Sequence, residues 1–189
     1  MNLKLNDTLY VPTKMLSWAS RSNTLHFLGT HIIDLVRWIS QVEISRVYSV
    51  SRSIVLKKMG IDTPDYFQSI LELANGGTAY MENCWIISEN APSVFEFKAE
   101  FVGSKGTIAV NVSHHRMIEK FTVAGSSMPD VNEQYDLNGN PYGQVSIQHF
   151  IDCVANDTPP LVTAEDGTEA TKVVMALEKS AITRQPVAL

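Results

Sequence analysis

From about residue 42 to residue 123 the hydrophobic period of this chain is two rather than helical. The clearest stretch sets Phe95, Phe97, Ala99 and Phe101 against Glu96, Lys98 and Glu100. Successive side chains of a strand point to opposite faces, so one face there is apolar and the other meets water or a polar interface. Strands are predicted at 45–56, 66–74, 78–87, 94–102, 107–112 and 117–123. Asn75-Gly76-Gly77 marks a hairpin, because these residues tolerate the positive φ of tight primed turns. Gly103-Ser104-Lys105-Gly106 marks a second. About six strands in series with short turns imply a largely antiparallel open sheet.

Helical patterns flank this block. The first forty residues read as helical: Pro12 and Thr13 open a short helix with Met15, Leu16 and Ala19 on one face, and Ser20-Arg21-Ser22-Asn23 breaks it. A second helix, about 29–40, buries Ile32, Leu35, Val36 and Ile39. The stretch 124–140, rich in Gly, Ser, Asn and Asp, reads as a long loop. A helix at about 142–155 carries Val145, Phe150, Ile151 and Val154 as expected core. The last runs from Thr163 to about Thr183, with Thr163-Ala164-Glu165-Asp166 as a capping box in which Asp replaces Glu. The expected class is α+β, one domain over 1–189, with helices from both chain ends packed on one sheet face.

Several functions are disfavoured by composition. A formal charge of −5, a pI near 5.5 and scattered basic residues argue against nucleic acid. No apolar run is long enough to span a membrane, and the N-terminus lacks a signal-peptide core. Cys84 and Cys153 lack metal-type spacing and suit free thiols in a reducing cytoplasm, where the protein is expected to reside. The ten glycines never form G-x-G-x-x-G or a P-loop, and strands do not alternate with helices as in a doubly wound sheet.

Chemistry concentrates in Gly29-Thr30-His31-Ile32-Ile33-Asp34-Leu35-Val36-Arg37-Trp38. Helical spacing places His31, Asp34 and Trp38 on one stripe. A histidine and an aspartate in an apolar run must be hydrogen-bonded if buried, or must face a cleft. Arg37 is expected to pair with Asp34 at i, i+3. Adjacent His114 and His115, with Glu119, chelate one ion poorly because neighbours on a strand point to opposite faces.

Three ordered stretches make the chain resemble the C-terminal domain of the Gfo/Idh/MocA family of NAD(P)-dependent oxidoreductases. The first runs from Asp7 to Trp18 and continues as Phe27-Leu28-Gly29-Thr30-His31-Ile32-Ile33-Asp34-Leu35-Val36-Arg37-Trp38. The second is Phe101-Val102-Gly103-Ser104-Lys105-Gly106-Thr107-Ile108. The third joins Phe150-Ile151-Asp152-Cys153-Val154 to Pro159-Pro160-Leu161-Val162-Thr163-Ala164-Glu165-Asp166-Gly167. The resemblance covers residues 7 to 189 and implies an open-sheet substrate domain whose family also has a cofactor-binding Rossmann half. That half supplies a lysine as well as NAD or NADP, so neither is expected on this chain alone. The segment from Asn2 to Tyr10 reads as mid-domain, as if a first piece were missing.

By this resemblance His31 is an acid/base or hydroxyl-orienting residue, a task that suits an imidazole. The other reading is a core histidine bonded to backbone or to Asp34. Many members place an aspartate four residues before this histidine; here Phe27 stands there, leaving Asp34 as the supporting carboxylate. Trp18, Ser22, Asn23 and His26 are candidates to line a sugar or polyol pocket, or are an ordinary packed aromatic and helix-breaking residues. The first functional reading is a substrate-side and oligomerisation domain of a sugar or polyol oxidoreductase, inactive alone. The alternative is a non-enzymatic scaffold that dimerises through a sheet face or binds a separate Rossmann chain. A single-domain enzyme unrelated to nicotinamide has only the His31/Asp34 pair behind it.

Overall fold

The first seven residues are not helical. Leu3 and Leu5 alternate with Asn2, Lys4 and Asn6, and this period builds strand β1, Asn2–Asp7. In the computed structural model, which describes residues 1–112, 117–128 and 141–189, β1 is a central strand. It pairs parallel with β4 (Thr78–Cys84) and antiparallel with β5 (Phe95–Gly103). The segment joining β4 to β5 therefore crosses the end of β1, where Leu9 N donates to Ile87 O and Thr8 N to Val94 O, both at 2.9 Å.

The described residues contain nine strands in one open sheet, ordered β8-β7-β6-β5-β1-β4-β3-β2-β9. The others are β2 (Ile44–Arg52), β3 (Tyr66–Leu73), β6 (Gly106–Asn111), β7 (Ile118–Thr122), β8 (Gly125–Ser127) and β9 (Val187–Ala188). All pairings but β1–β4 are antiparallel. The three strands beyond the expected six are short or lie at the chain ends, where few residues show an alternation. Both glycine hairpins form. Gly76 adopts φ +85° between β3 and β4, and Gly77 N donates to Asn75 Oδ1 at 2.9 Å. At Gly106 a side chain is excluded, because a Cβ would lie 2.3 Å from Phe121 O.

Strand β2 stops at Arg52, short of the expected 56, because the chain turns into a four-residue helix at Val55–Lys58. The buried Asp65 carboxylate forces that turn: it accepts from the amides of Ile54, Val55 and Leu56 at 2.7, 2.8 and 2.8 Å. The helix expected to open at Pro12 reduces to a π-helical turn, Val11–Met15, and a 3₁₀ turn, Ala19–Arg21. Leu16 leaves helical space between them, at φ −105° and ψ 93°. We number the helices α1 (Thr30–Ser40), α2 (Val55–Lys58), α3 (Tyr142–Asn156) and α4 (Ala164–Thr183).

Helices α1 and α4 cover one face of β1–β4. Ile32, Ile33 and Val36 of α1 and Val173, Val174 and Leu177 of α4 meet Leu3, Val47, Leu71 and Met81 in one buried cluster. The capping box at Thr163 forms, with Asp166 N donating to Thr163 Oγ1 at 3.3 Å and Thr163 N to Asp166 Oδ2 at 2.9 Å. Helix α3 departs from expectation. Val145, Phe150, Ile151 and Val154 are exposed, and Cys153 is its buried apolar residue among those described. An apolar stripe shows that a helix has a face to cover, not that a neighbour in the same chain covers it. Part of the loop expected over 124–140 forms β8; residues 129–140, like His114 and His115, lie outside the described residues.

Candidate functional site

A cavity of about 840 Å³ opens between the outward side of α1, the end of β1 and the start of β5. His31, Asp34 and Trp38, three and four residues apart, all line it. Its other walls are mostly apolar, among them Leu5, Val11, Phe27, Leu28, Phe95 and Phe97. His31 is exposed and Asp34 half-buried, and neither has a hydrogen-bond or ion-pair partner among the described residues. The imidazole is thus available to a ligand.

Arg37 does not pair with Asp34. The left-handed Gln41, at φ 54°, turns the chain back so that Glu43 comes beside Arg37. The guanidinium then donates to Glu43 from Nε at 2.8 Å and Nη2 at 2.9 Å, and Nη1 to Asp166 O at 3.3 Å. Hydrogen bonding to Glu43 raises the Arg37 pKa and lowers that of Glu43. The result clamps the end of α1 to the start of α4 and leaves the Asp34 carboxylate unbridged.

The remaining predicted ligand contacts fall elsewhere. Asn23 Nδ2 donates to Glu178 Oε1 at 2.5 Å, and His26 Nε2 lies 3.1 Å from Glu178 Oε2. Both therefore tie the turn before α1 to α4, away from the cavity. Trp18 packs edge-on against Phe27, with ring centroids 5.7 Å apart, and so supports a wall residue instead of lining the cavity. Ser22 accepts from Thr63 Oγ1 through its carbonyl, at 2.7 Å.

One lining residue was missed at the sequence level. Asp7 ends β1 in the inward register of Leu3 and Leu5, and is only 4% exposed. Its Oδ2 accepts from Trp85 Nε1 at 3.1 Å. Burial pushes its carboxyl up from the ordinary 3.8 to about 6, and the indole hydrogen bond offsets only part of that. The sequence signal for it is a carboxylate at the end of the short two-residue alternation of Leu3 and Leu5, in a stretch otherwise expected to be helical.

The opposite sheet face is polar at its centre. Glu82 accepts from Asn6 at 3.1 Å, Gln68 at 2.9 Å and Tyr80 at 3.2 Å, with Lys4 3.3 Å away. Burial pushes the Glu82 pKa up, but these donors outweigh it and hold the carboxyl below its usual value. On the same face Val50, Ile70 and Phe121 are exposed.

Comparison with known proteins places this geometry in context. The model of an oxidoreductase family, C-terminal alpha/beta domain, matches residues 8–189. Scyllo-inositol 2-dehydrogenase (NAD(+)) of Bacillus subtilis is 25% identical over 162 residues, which cover 84% of this chain and 45% of that protein. An oxidoreductase of Thermotoga maritima superposes with a TM-score of 0.82 at 18% identity, covering 100% of this chain and 54% of that one. Levoglucosan dehydrogenase, in complex with NADH and L-sorbose, gives 0.80 at 18% identity, covering 99% and 57%. The chain thus spans about half the length of the relatives it matches.

Proposed function

Since the chain belongs to the Gfo/Idh/MocA oxidoreductase family, through its C-terminal alpha/beta domain, we propose that it forms the substrate side of an NAD(P)-dependent sugar or polyol oxidoreductase. The observation that carries this is the α1 cavity, where the unpartnered His31 and Asp34 share a largely apolar wall. Apolar surface suits the C–H faces of a sugar ring, and His31 suits a hydroxyl whose proton must be held or moved.

The described residues around this cavity do not fit the dinucleotide itself. Among the described residues no lysine or arginine lines the cavity, and the one parallel strand pairing, β1–β4, does not build a Rossmann crossover. The nicotinamide cofactor, which supplies the redox chemistry when bound, therefore belongs to a Rossmann half in this reading. The domain alone is inactive, and it works in the cytoplasm as an oligomer or beside a cofactor-binding chain. Incubating the purified chain with NAD⁺ or NADP⁺ and a panel of inositols and aldoses tests this. No reduced cofactor is expected, and supplying a Rossmann-type dinucleotide-binding domain of the same family is expected to give turnover. Turnover by the chain alone overturns the reading.

A second reading, a scaffold that associates through its sheet, is favoured by the uncovered face bearing Val50, Ile70 and Phe121. The two readings are compatible if association also completes the enzyme.

A further inference from the structure

Among the groups lining the α1 cavity, Asp7 combines deep burial with an unused acceptor. Its Oδ2 is taken by the Trp85 indole, whereas Oδ1 has no hydrogen-bond partner among the described residues. Nor is Oδ1 among the buried polar atoms sealed from solvent without a partner, a condition that applies to Thr8 Oγ1 close by. Asp7 lines the cavity although it is only 4% exposed, so a ligand reaches its carboxyl through the cleft. Satisfying Trp85 does not require an acid. A neutral amide accepts the same indole N–H without the cost of burying a charge.

The rest of the lining narrows the ligand. Among the described residues the charged or titratable groups of the lining are Asp7 from β1 and His31 and Asp34 from α1; β5, the turn after β1 and Val112 add only apolar side chains, and no lysine or arginine is among them. The described lining therefore offers carboxylate acceptors and no lysine or arginine to meet a phosphate or a carboxylate. We propose that Asp7 is a substrate-positioning residue whose Oδ1 accepts a hydrogen bond from a hydroxyl of a neutral polyol, with His31 and Asp34 facing the same ligand from α1. The inference rests on the sugar or polyol reading above, and it adds both a binding residue and a preference for uncharged ligands. The Trp85 bond holds the carboxyl in one orientation, so the ligand hydroxyl meets a preset acceptor.

The full chain serves for the test, with myo-inositol as the neutral probe and an inositol monophosphate as the anionic one. Binding is read by saturation-transfer NMR and by the indole resonance of Trp85. Asp7→Asn keeps an oxygen for Trp85 but turns the free cleft atom from acceptor into donor. We expect myo-inositol to shift the Trp85 indole signal, and Asp7→Asn to weaken binding about tenfold or more while its near-ultraviolet circular dichroism stays unchanged. Affinity is expected to rise as pH passes through about 6 in the wild type and in His31→Gln, but not in Asp7→Asn. The phosphate is expected to bind more weakly than the neutral ring. Equal affinity in Asp7→Asn, or a pH step that survives it, overturns the role of Asp7 and leaves the polyol reading standing. Tighter binding of the phosphate overturns the preference for neutral ligands. Absence of any myo-inositol binding by the wild type overturns the polyol reading and this inference with it.

Discussion

The Asp7 carboxyl is held in surroundings that oppose its ionisation, and this has a consequence for stability separate from any ligand. Burial raises its folded pKa to about 6, above the ordinary 3.8, so protonation favours the folded state. The contribution is complete below about pH 4 and is lost as pH rises through about 6. Relative to Asp7→Asn, the wild type is expected to lose on the order of 2–3 kcal/mol between these limits. Urea unfolding of both proteins across that range checks it, and parallel pH profiles would show that burial does not raise the carboxyl. At this scale the sequence was unevenly informative. His31, Asp34 and Trp38 were legible as one stripe because helical spacing alone puts them there. Asn23 and His26 were not legible as partners of Glu178, which lies about 150 residues away.

Helices α1 and α3 carry similar apolar stripes and meet different fates. Ile33 of α1 is fully buried, whereas Phe150 of α3 is 65% exposed. Ile33→Ala is therefore expected to cost about 2–5 kcal/mol, and Phe150→Ser about 0.5 kcal/mol or less. Chemical denaturation separates the two, and a large loss from Phe150→Ser would mean that α3 is covered in solution. The boundaries of α1 and α4 were readable from local chemistry, including the Thr163–Asp166 capping box. The stop of β2 was not, because Asp65 imposes it from thirteen residues beyond Arg52.

For the molecule as a whole, the open sheet leaves one face to be met by water or by a partner. Association through that face, as proposed, predicts that the chain sediments as a dimer and that Ile70→Lys, on the uncovered side of β3, shifts it to monomer. Ile70 is 48% exposed, so the substitution is expected to change monomer stability by about 0.5 kcal/mol or less. Analytical ultracentrifugation decides it, and a wild-type monomer would count against the interface. What the sequence by itself determined is whatever neighbouring residues can express: the two-residue period of the sheet, both glycine hairpins, the helical stripe of His31 and the cap of α4. Tertiary structure alone decided that β1 is inserted between β4 and β5, that Arg37 clamps Glu43 and Asp166, that Phe150, Ile151 and Val154 of α3 are exposed, and that Asp7 reaches the same cavity as His31. Those outcomes depend on contacts between segments far apart in the chain, and no local pattern encodes which distant surface a given face will find.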